Sequence, residues 1–322
     1  VGDVFFPVAG IEVAPWIPFL AGFAVAFVCS MGGVSGAFLL LPLQVSVLGF
    51  TTPAVSATNH LFNVVAIPSG VYRYIREGRM VWPLTWMVVV GTLPGVFLGV
   101  FARVHYLPDP AAFKFFAGLV LLYIGLVMAR SLIKKQAPGA GAKSVERRFQ
   151  ELVSEFCKTA AAVQEEGKAA LPRTEVKQFS LTRMEYSFYG ESFAVNPVIM
   201  ISVSALVGIV GGIYGIGGGA IIAPIFVAMF HLPVYTIAGA TLMGTFLTSL
   251  TAVVFYQAVA PFYPHLGIAP DWLLGVLFGF GGMVGMYLGA RTQKFVPSNV
   301  IKWLLAFIIT FTGLSYVVQF LF

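Results

Sequence analysis

Two glycine-rich stretches in this 322-residue chain carry its most pointed chemistry: GGVSGAFLLLP, ending at Pro42, and YGIGGGAIIAP, ending at Pro224. Each interrupts an apolar run. Where the run resumes, near Ala37 or Ala220, a helix start presents N–H groups that lack intrahelical partners and carry positive dipole character. Such an end suits an anion. Gly33, Gly36, Gly217, Gly218 and Gly219 let a ligand approach the main chain, with Ser35 and Tyr214 beside them. The same glycines also serve close helix packing, and both readings stay open at this point. Further polar groups follow each break: Ser56, Thr58, Asn59, His60 and Asn63 after the first, Thr241, Thr245, Thr248 and Ser249 after the second. Asn59 with Asn63, and Thr241 with Thr245, share a helix face and offer hydrogen-bond donors without charge. Interhelical hydrogen bonding accounts for them equally well.

His60 is the clearly intramembrane side chain that titrates near neutrality, a candidate for proton coupling or anion contact, with a packing histidine as the alternative. Lys114 and Lys302 stand near equivalent helix starts and are candidates for guiding anions, against plain snorkelling to the interface. Cys29 reads as a small core residue. No carboxylate interrupts the interior of an apolar run, since Glu12, Glu77, Asp109 and Asp271 all stand at edges, and this disfavours a cation route. The sequence carries no zinc-type cluster, nucleophile triad or P-loop, and GIGGG lacks the strand and acidic partner of a dinucleotide loop. Neither an enzyme nor a bound metal or cofactor is expected.

The elements that must position these groups are membrane helices. A composition of 58% hydrophobic and 10% charged residues, with mean hydropathy +0.90, excludes an ordinary soluble enzyme and a disordered chain. Two cysteines are too few for a disulfide framework. The basic balance, pI about 9.3, reports membrane orientation rather than nucleic acid, because Lys and Arg cluster at the ends of apolar runs and in one segment. That segment, Lys134 to Phe193, holds ten of the nineteen Lys/Arg and eight of the thirteen Asp/Glu. Its spacing predicts an amphipathic helix from Lys143 to Glu166 and a strand pair from Glu175 to Phe188. The chain thus divides into a first membrane half (1–135), a soluble insertion (136–195) and a second membrane half (196–322). The opening VGDVFFPVAG lacks a basic n-region, so no cleavable signal peptide is expected.

The halves align as a repeat. Gly33 falls on Gly215, Gly36 on Gly218, Asn59 on Thr241, Asn63 on Thr245, GTLPGVFLG from Gly91 on GGMVGMYLG from Gly281, and Lys114 on Lys302. The apolar windows flanking each break, 20–30 with 37–47 and 203–213 with 220–230, are about half a membrane thick. Arg73, Arg76 and Arg79 mark one loop as cytoplasmic, as do Arg130, Lys134 and Lys135 another, whereas 257–270 has no Lys or Arg. The expectation is an all-α multi-pass membrane protein of two inverted repeats, each a re-entrant broken-helix hairpin plus three spanning helices. Its small insertion is cytoplasmic and both termini external. The alternative is a parallel arrangement of four spans in each half.

With these motifs and the small-residue segments after them (VSATNHLFN, IAGATLMGT), the sequence resembles the TauE/SafE sulfite exporter family, also called the 4-toluene sulfonate uptake permease family. The resemblance implies transport of small sulfur-containing anions, such as sulfite or sulfoacetate-like organosulfonates, across a bacterial inner membrane. Ser35 stands where the second half has Gly217, and Ala37 opposite Gly219, a departure from the glycine-rich pattern. Alternating access of a midplane anion site is the expected mechanism. The partners are then the anion and the lipid bilayer, with homo-oligomerisation open. A membrane scaffold or sensor working through the charged insertion is the rival function.

Overall fold

The computed structural model describes residues 2–31, 35–76, 80–133, 175–180, 183–188, 191–230, 232, 234–292 and 298–321. The expected helix at 143–166 lies outside them. A hairpin of β1 (Val4–Phe6) and β2 (Ile11–Val13) opens the chain. Helices α1 (Trp16–Met31), α2 (Ala37–Ser46), α3 (Ala54–Ala66), α4 (Pro68–Arg76), α5 (Trp82–His105) and α6 (Pro110–Ile133) follow. An antiparallel sheet β3–β4–β5 (Glu175–Phe179, Met184–Phe188, Glu191–Val195) leads to α7 (Pro197–Tyr214) and α8 (Gly219–Phe230). The chain ends with α9 (Val234–Val259), α10 (Trp272–Thr292) and α11 (Ser298–Leu321).

The protein is mostly helical, and among the described residues six helices are long and apolar enough to cross a membrane: α5, α6, α7, α9, α10 and α11. Their membership differs from the expectation. The apolar window of α7 covers only 203–213, but Asn196 caps the helix with its side chain and Pro197 opens it, giving 18 residues, roughly 27 Å. Helix α1 likewise runs 16 residues. In the other direction, the segment expected as the first half's opening span is divided at Pro68 into α3 and α4, whereas its counterpart α9 continues for 26 residues. Pro68 supplies no N–H, so the ladder loses one bond there, although Ile67 keeps helical dihedrals (φ −73°, ψ −32°) and its carbonyl still accepts from the Val71 N–H at 3.1 Å.

Glycine seams set how the helices pair, because without Cβ atoms backbones meet directly. Gly91 abuts Ile201 and Ser204, Gly95 abuts Ala205 and Gly208, and Gly99 abuts Ile209 and Gly212, so α5 and α7 run parallel. Along the second seam Gly281 abuts Phe19, Gly285 abuts Phe23 and Gly289 abuts Phe27, so α1 and α10 are also parallel. Helices α6 and α11 pair antiparallel, with Gly118 opposite Tyr316 and Gly125 opposite Thr310. Each pair joins one half of the sequence to the other. Helix α3 packs on α10, α9 packs on α5, and α3 meets α9 between them.

Candidate functional site

The two breaks come together around α3. At the second, Gly215 closes α7 in the left-handed conformation (φ 88°) and Gly217 repeats it (φ 71°), geometries that side chains resist. Ser56 of α3 donates to the Ile213 carbonyl at 3.0 Å, and Asn63, farther along the helix, donates through Nδ2 to the Ile216 carbonyl at 3.0 Å. At the first break the Ser35 hydroxyl donates to Asn63 Oδ1 (3.1 Å), and Asn59 Nδ2 donates to the Ala37 carbonyl (3.1 Å). Tyr214 joins the two directly, its hydroxyl donating to the Phe38 carbonyl at 3.2 Å. His60 Nδ1 lies 3.2 Å from the Ser249 hydroxyl of α9, which also accepts from Asn63. Ser35, Gly36, Asn59, His60, Asn63, Tyr214, Gly217, Gly218, Gly219, Thr241 and Thr245 are all buried in one region. Gly33 lies outside the described residues.

The described residues of both breaks are closely packed. A Cβ on Gly36 would meet the Phe62 ring at 3.2 Å, and one on Gly217 would meet Thr245 Cγ2 at 2.8 Å and Ser249 Oγ at 2.9 Å. Gly218 is covered by Thr92 and Gly219 by Thr241 and Thr245. Helix hydroxyls are also engaged at home, since Thr245 donates to the Thr241 carbonyl (2.8 Å) and Thr241 to the Ala238 carbonyl (3.1 Å). Ser35 Oγ accepts from the Ala37 N–H, so part of the first anion-attracting helix end is already satisfied. Two polar atoms in this closed region have no partner, Asn59 Oδ1 and His60 Nε2.

Lys114 stands away from the breaks. Lys114 lines a separate cleft of about 250 Å³ with Pro110, Ala111, Tyr316, Gln319 and Phe320. That cleft adjoins the end of α2, where the Tyr316 and Ser46 hydroxyls lie 2.7 Å apart. Lys302 belongs to α11, and its side chain lies outside the description. Cys29 is buried in the main core, as a small packing residue should be. Among the described residues no group of three His, Cys, Asp or Glu could hold a metal.

Sequence reasoning misses Arg103. It stands in the last turn of α5 yet is fully buried, with Nε donating to the Ser56 hydroxyl at 3.3 Å and Nη1 to the Leu107 carbonyl. Its guanidinium lies 3.7 Å over the Phe113 ring. A positional signal exists: Arg103 falls at the end of the helix leading away from the expected cytoplasmic loop of Arg73, Arg76 and Arg79, where a cation does not fit the expected charge bias. Asp271 is the buried carboxylate among the described residues, and both its oxygens are used, by the N–H groups of Ala9 (3.3 Å) and Leu274 (3.1 Å).

Comparison with known proteins fits this architecture. The chain is 21% identical over 308 residues to the probable membrane transporter protein YunE of Bacillus subtilis, covering 94% of this chain and 96% of that protein. It is 25% identical over 279 residues to a probable membrane transporter protein of Xylella fastidiosa, covering 84% and 81%. A shorter match to the probable membrane transporter protein YdhB of Bacillus subtilis is 28% identical over 109 residues and spans 34% of this chain and 41% of that relative. No solved structure matches the chain. The profile described as sulfite exporter TauE/SafE matches residues 18–316, nearly the whole length, and the chain belongs to that family.

Proposed function

We propose that this membrane transporter carries a small sulfur-containing anion, sulfite or a sulfoacetate-like organosulfonate, outward across a bacterial inner membrane. One observation carries the reading: two helix breaks meet at the buried polar side chains of α3, no carboxylate side chain among the described residues bonds to those groups, and Asn59 and His60 keep unpartnered atoms there. A buried polar atom without a partner is costly, so a site that leaves some unpaired is one in which they find a partner at another stage. Export needs no coupling ion, since moving one negative charge out through 100 mV is worth about 2.3 kcal/mol. His60 is the handle for a coupled proton if uptake is the direction.

The inverted arrangement draws support from helix directions. Helices α6 and α11 are equivalent in the repeat but run antiparallel, so an even number of crossings separates them. Helices α9 and α10 are two, so α7 with α8 contribute none or two, and one continuous kinked span is excluded. Four parallel spans in each half would make α6 and α11 parallel. Between those two, the re-entrant reading is supported by α8, whose 12 residues span roughly 18 Å, short of a full crossing, while α7 is too long for the half-membrane length argument. With the insertion cytoplasmic, the segments before α1 and after α11 both face outside.

Alternating access then acts on exchanged lobes rather than on the two halves of the sequence. The seams lock α5 to α7 and α1 to α10 backbone against backbone. One lobe is α1, α2, α3 and α10; the other is α5, α7, α8 and α9; they meet at the polar α3–α9 contact. Rocking at that contact opens the tips in turn to each side. Replacing Asn59 with Leu removes one donor and one unpartnered acceptor. Sulfite flux into proteoliposomes is expected to fall at least tenfold, with the variant still eluting as folded protein. Flux equal to the unmodified transporter removes Asn59 from the site.

A further inference from the structure

Arg103 has the burial of a core residue and the charge of a surface one. Its side chain is fully buried, its Nη2 has no hydrogen-bond partner, and no carboxylate among the described residues is bridged to it. An uncompensated buried charge costs several kcal/mol, roughly, and persists only when something offsets it. Two ordinary explanations cover part of the side chain. Nη1 caps the carbonyl of Leu107 at the end of α5, and the Phe113 ring lies under the guanidinium. Neither uses Nη2.

The neighbours supply the rest. Tyr256 of α9 lies within electrostatic reach of Arg103, and its buried hydroxyl stands beside the Ser56 hydroxyl. Apolar residues Ala57, Val100, Val104, Ala252 and Ile268 enclose this corner as a small core distinct from the main one. An N–H without an acceptor on Arg103, two adjoining hydroxyls, a full positive charge and a dry wall together make a receptor for an oxyanion. The corner also continues the polar seam: the Tyr256 ring lies 6.3 Å from the His60 ring, and Ser56 links Arg103 to the carbonyl of Ile213 at the second break.

We infer that Arg103, Tyr256 and Ser56 form a second anion station, outside the glycine tips, which the substrate occupies on the outer side of the membrane. This rests on the anion reading and on the topology proposed above. An anion leaving the tips passes His60 and Tyr256 and exchanges neutral donors for the guanidinium. Because the station lies at the outer end of α5, it acts on one face of the transporter.

The test measures sulfite flux in proteoliposomes in both directions for the unmodified protein and for R103K, R103Q and Y256F. For R103Q the half-saturating concentration of external sulfite is expected to rise at least tenfold, with R103K recovering part of the loss and Y256F shifted about threefold. Half-saturation from the cytoplasmic face should change little in all three. Equal half-saturation from outside in R103Q and the unmodified protein overturns the station while leaving transport intact. If R103Q does not fold, R103K and Y256F decide, and unshifted external half-saturation in both overturns it. Should the unmodified protein neither move sulfite nor be thermally stabilised by it, the anion reading fails and the station fails with it.

Discussion

The two glycine tips occupy equivalent places in the repeat but are sealed by opposite materials. Gly36 sits against the tip of the Phe62 ring, and the same Cε2–Cζ edge fills the space left by Gly282. In the second half Gly244 stands where the first has Phe62, and Thr92 where the second has Gly282, so the volume above Gly218 is filled by a threonine. Large opposite small has become small opposite medium. The first tip is closed by an aromatic ring and a serine cap, while the second is lined by Thr92, Thr245 and Ser249 and holds two left-handed glycines. Duplication preserved the backbone plan and left packing free to diverge, so long as total volume was kept.

Breaking the aromatic side gives the largest expected change. Phe62→Ala should cost about 3–5 kcal/mol of stability through the cavity it opens, read as a lowered unfolding temperature in detergent. Gly217→Ala attacks the other tip. Left-handed strain of about 1–2 kcal/mol adds to overpacking against Thr245, and we expect flux to be lost along with roughly 2–4 kcal/mol of stability. The equivalent Ser35→Ala leaves Asn63 Oδ1 without its donor and should cost about 1–3 kcal/mol by the same unfolding measurement. A smaller effect sharpens the contrast: His60→Gln can keep a hydrogen bond to Ser249, so potential-driven flux should continue while any proton movement coupled to it stops. Smallest is Thr245→Val, whose hydroxyl serves only its own helix at the Thr241 carbonyl, and a shift under about 1 kcal/mol is expected. A large loss of flux in that variant would show the threonine face to be part of the site after all.

Much of this is legible in the residues. The breaks fall where glycine runs predict, with α2 beginning at Ala37 and α8 at Gly219. Alternation at 175–188 marks β3 and β4, but β5 escapes because its ESFAV lies close to a proline and reads as a linker. Apolar windows measure only the lipid-like part of α1 and α7, since helix caps such as Asn196 extend a helix without adding hydropathy. Pro68 is easily overlooked inside an otherwise apolar run, although proline is the strongest local signal of a helix boundary. The polar cluster falls on α3 and α9 as the spacing indicates, yet Arg103 is hidden by its place at a helix end, where cations are ordinarily solvated. Pairing between the halves is out of reach altogether. Small residues tell that a helix packs closely, not which helix it packs against.

The division at Pro68 bears on symmetry. A machine made of two identical inverted parts would have inward- and outward-facing forms of equal energy and would run equally well either way. In this protein one of the two central helical segments, α3 with α4, lacks the N–H that Pro68 cannot supply, and the other, α9, runs 26 residues as one helix. Under the proposed rocking motion the two facing forms then differ in energy and in lifetime, while the sign of the net flux stays with the gradient.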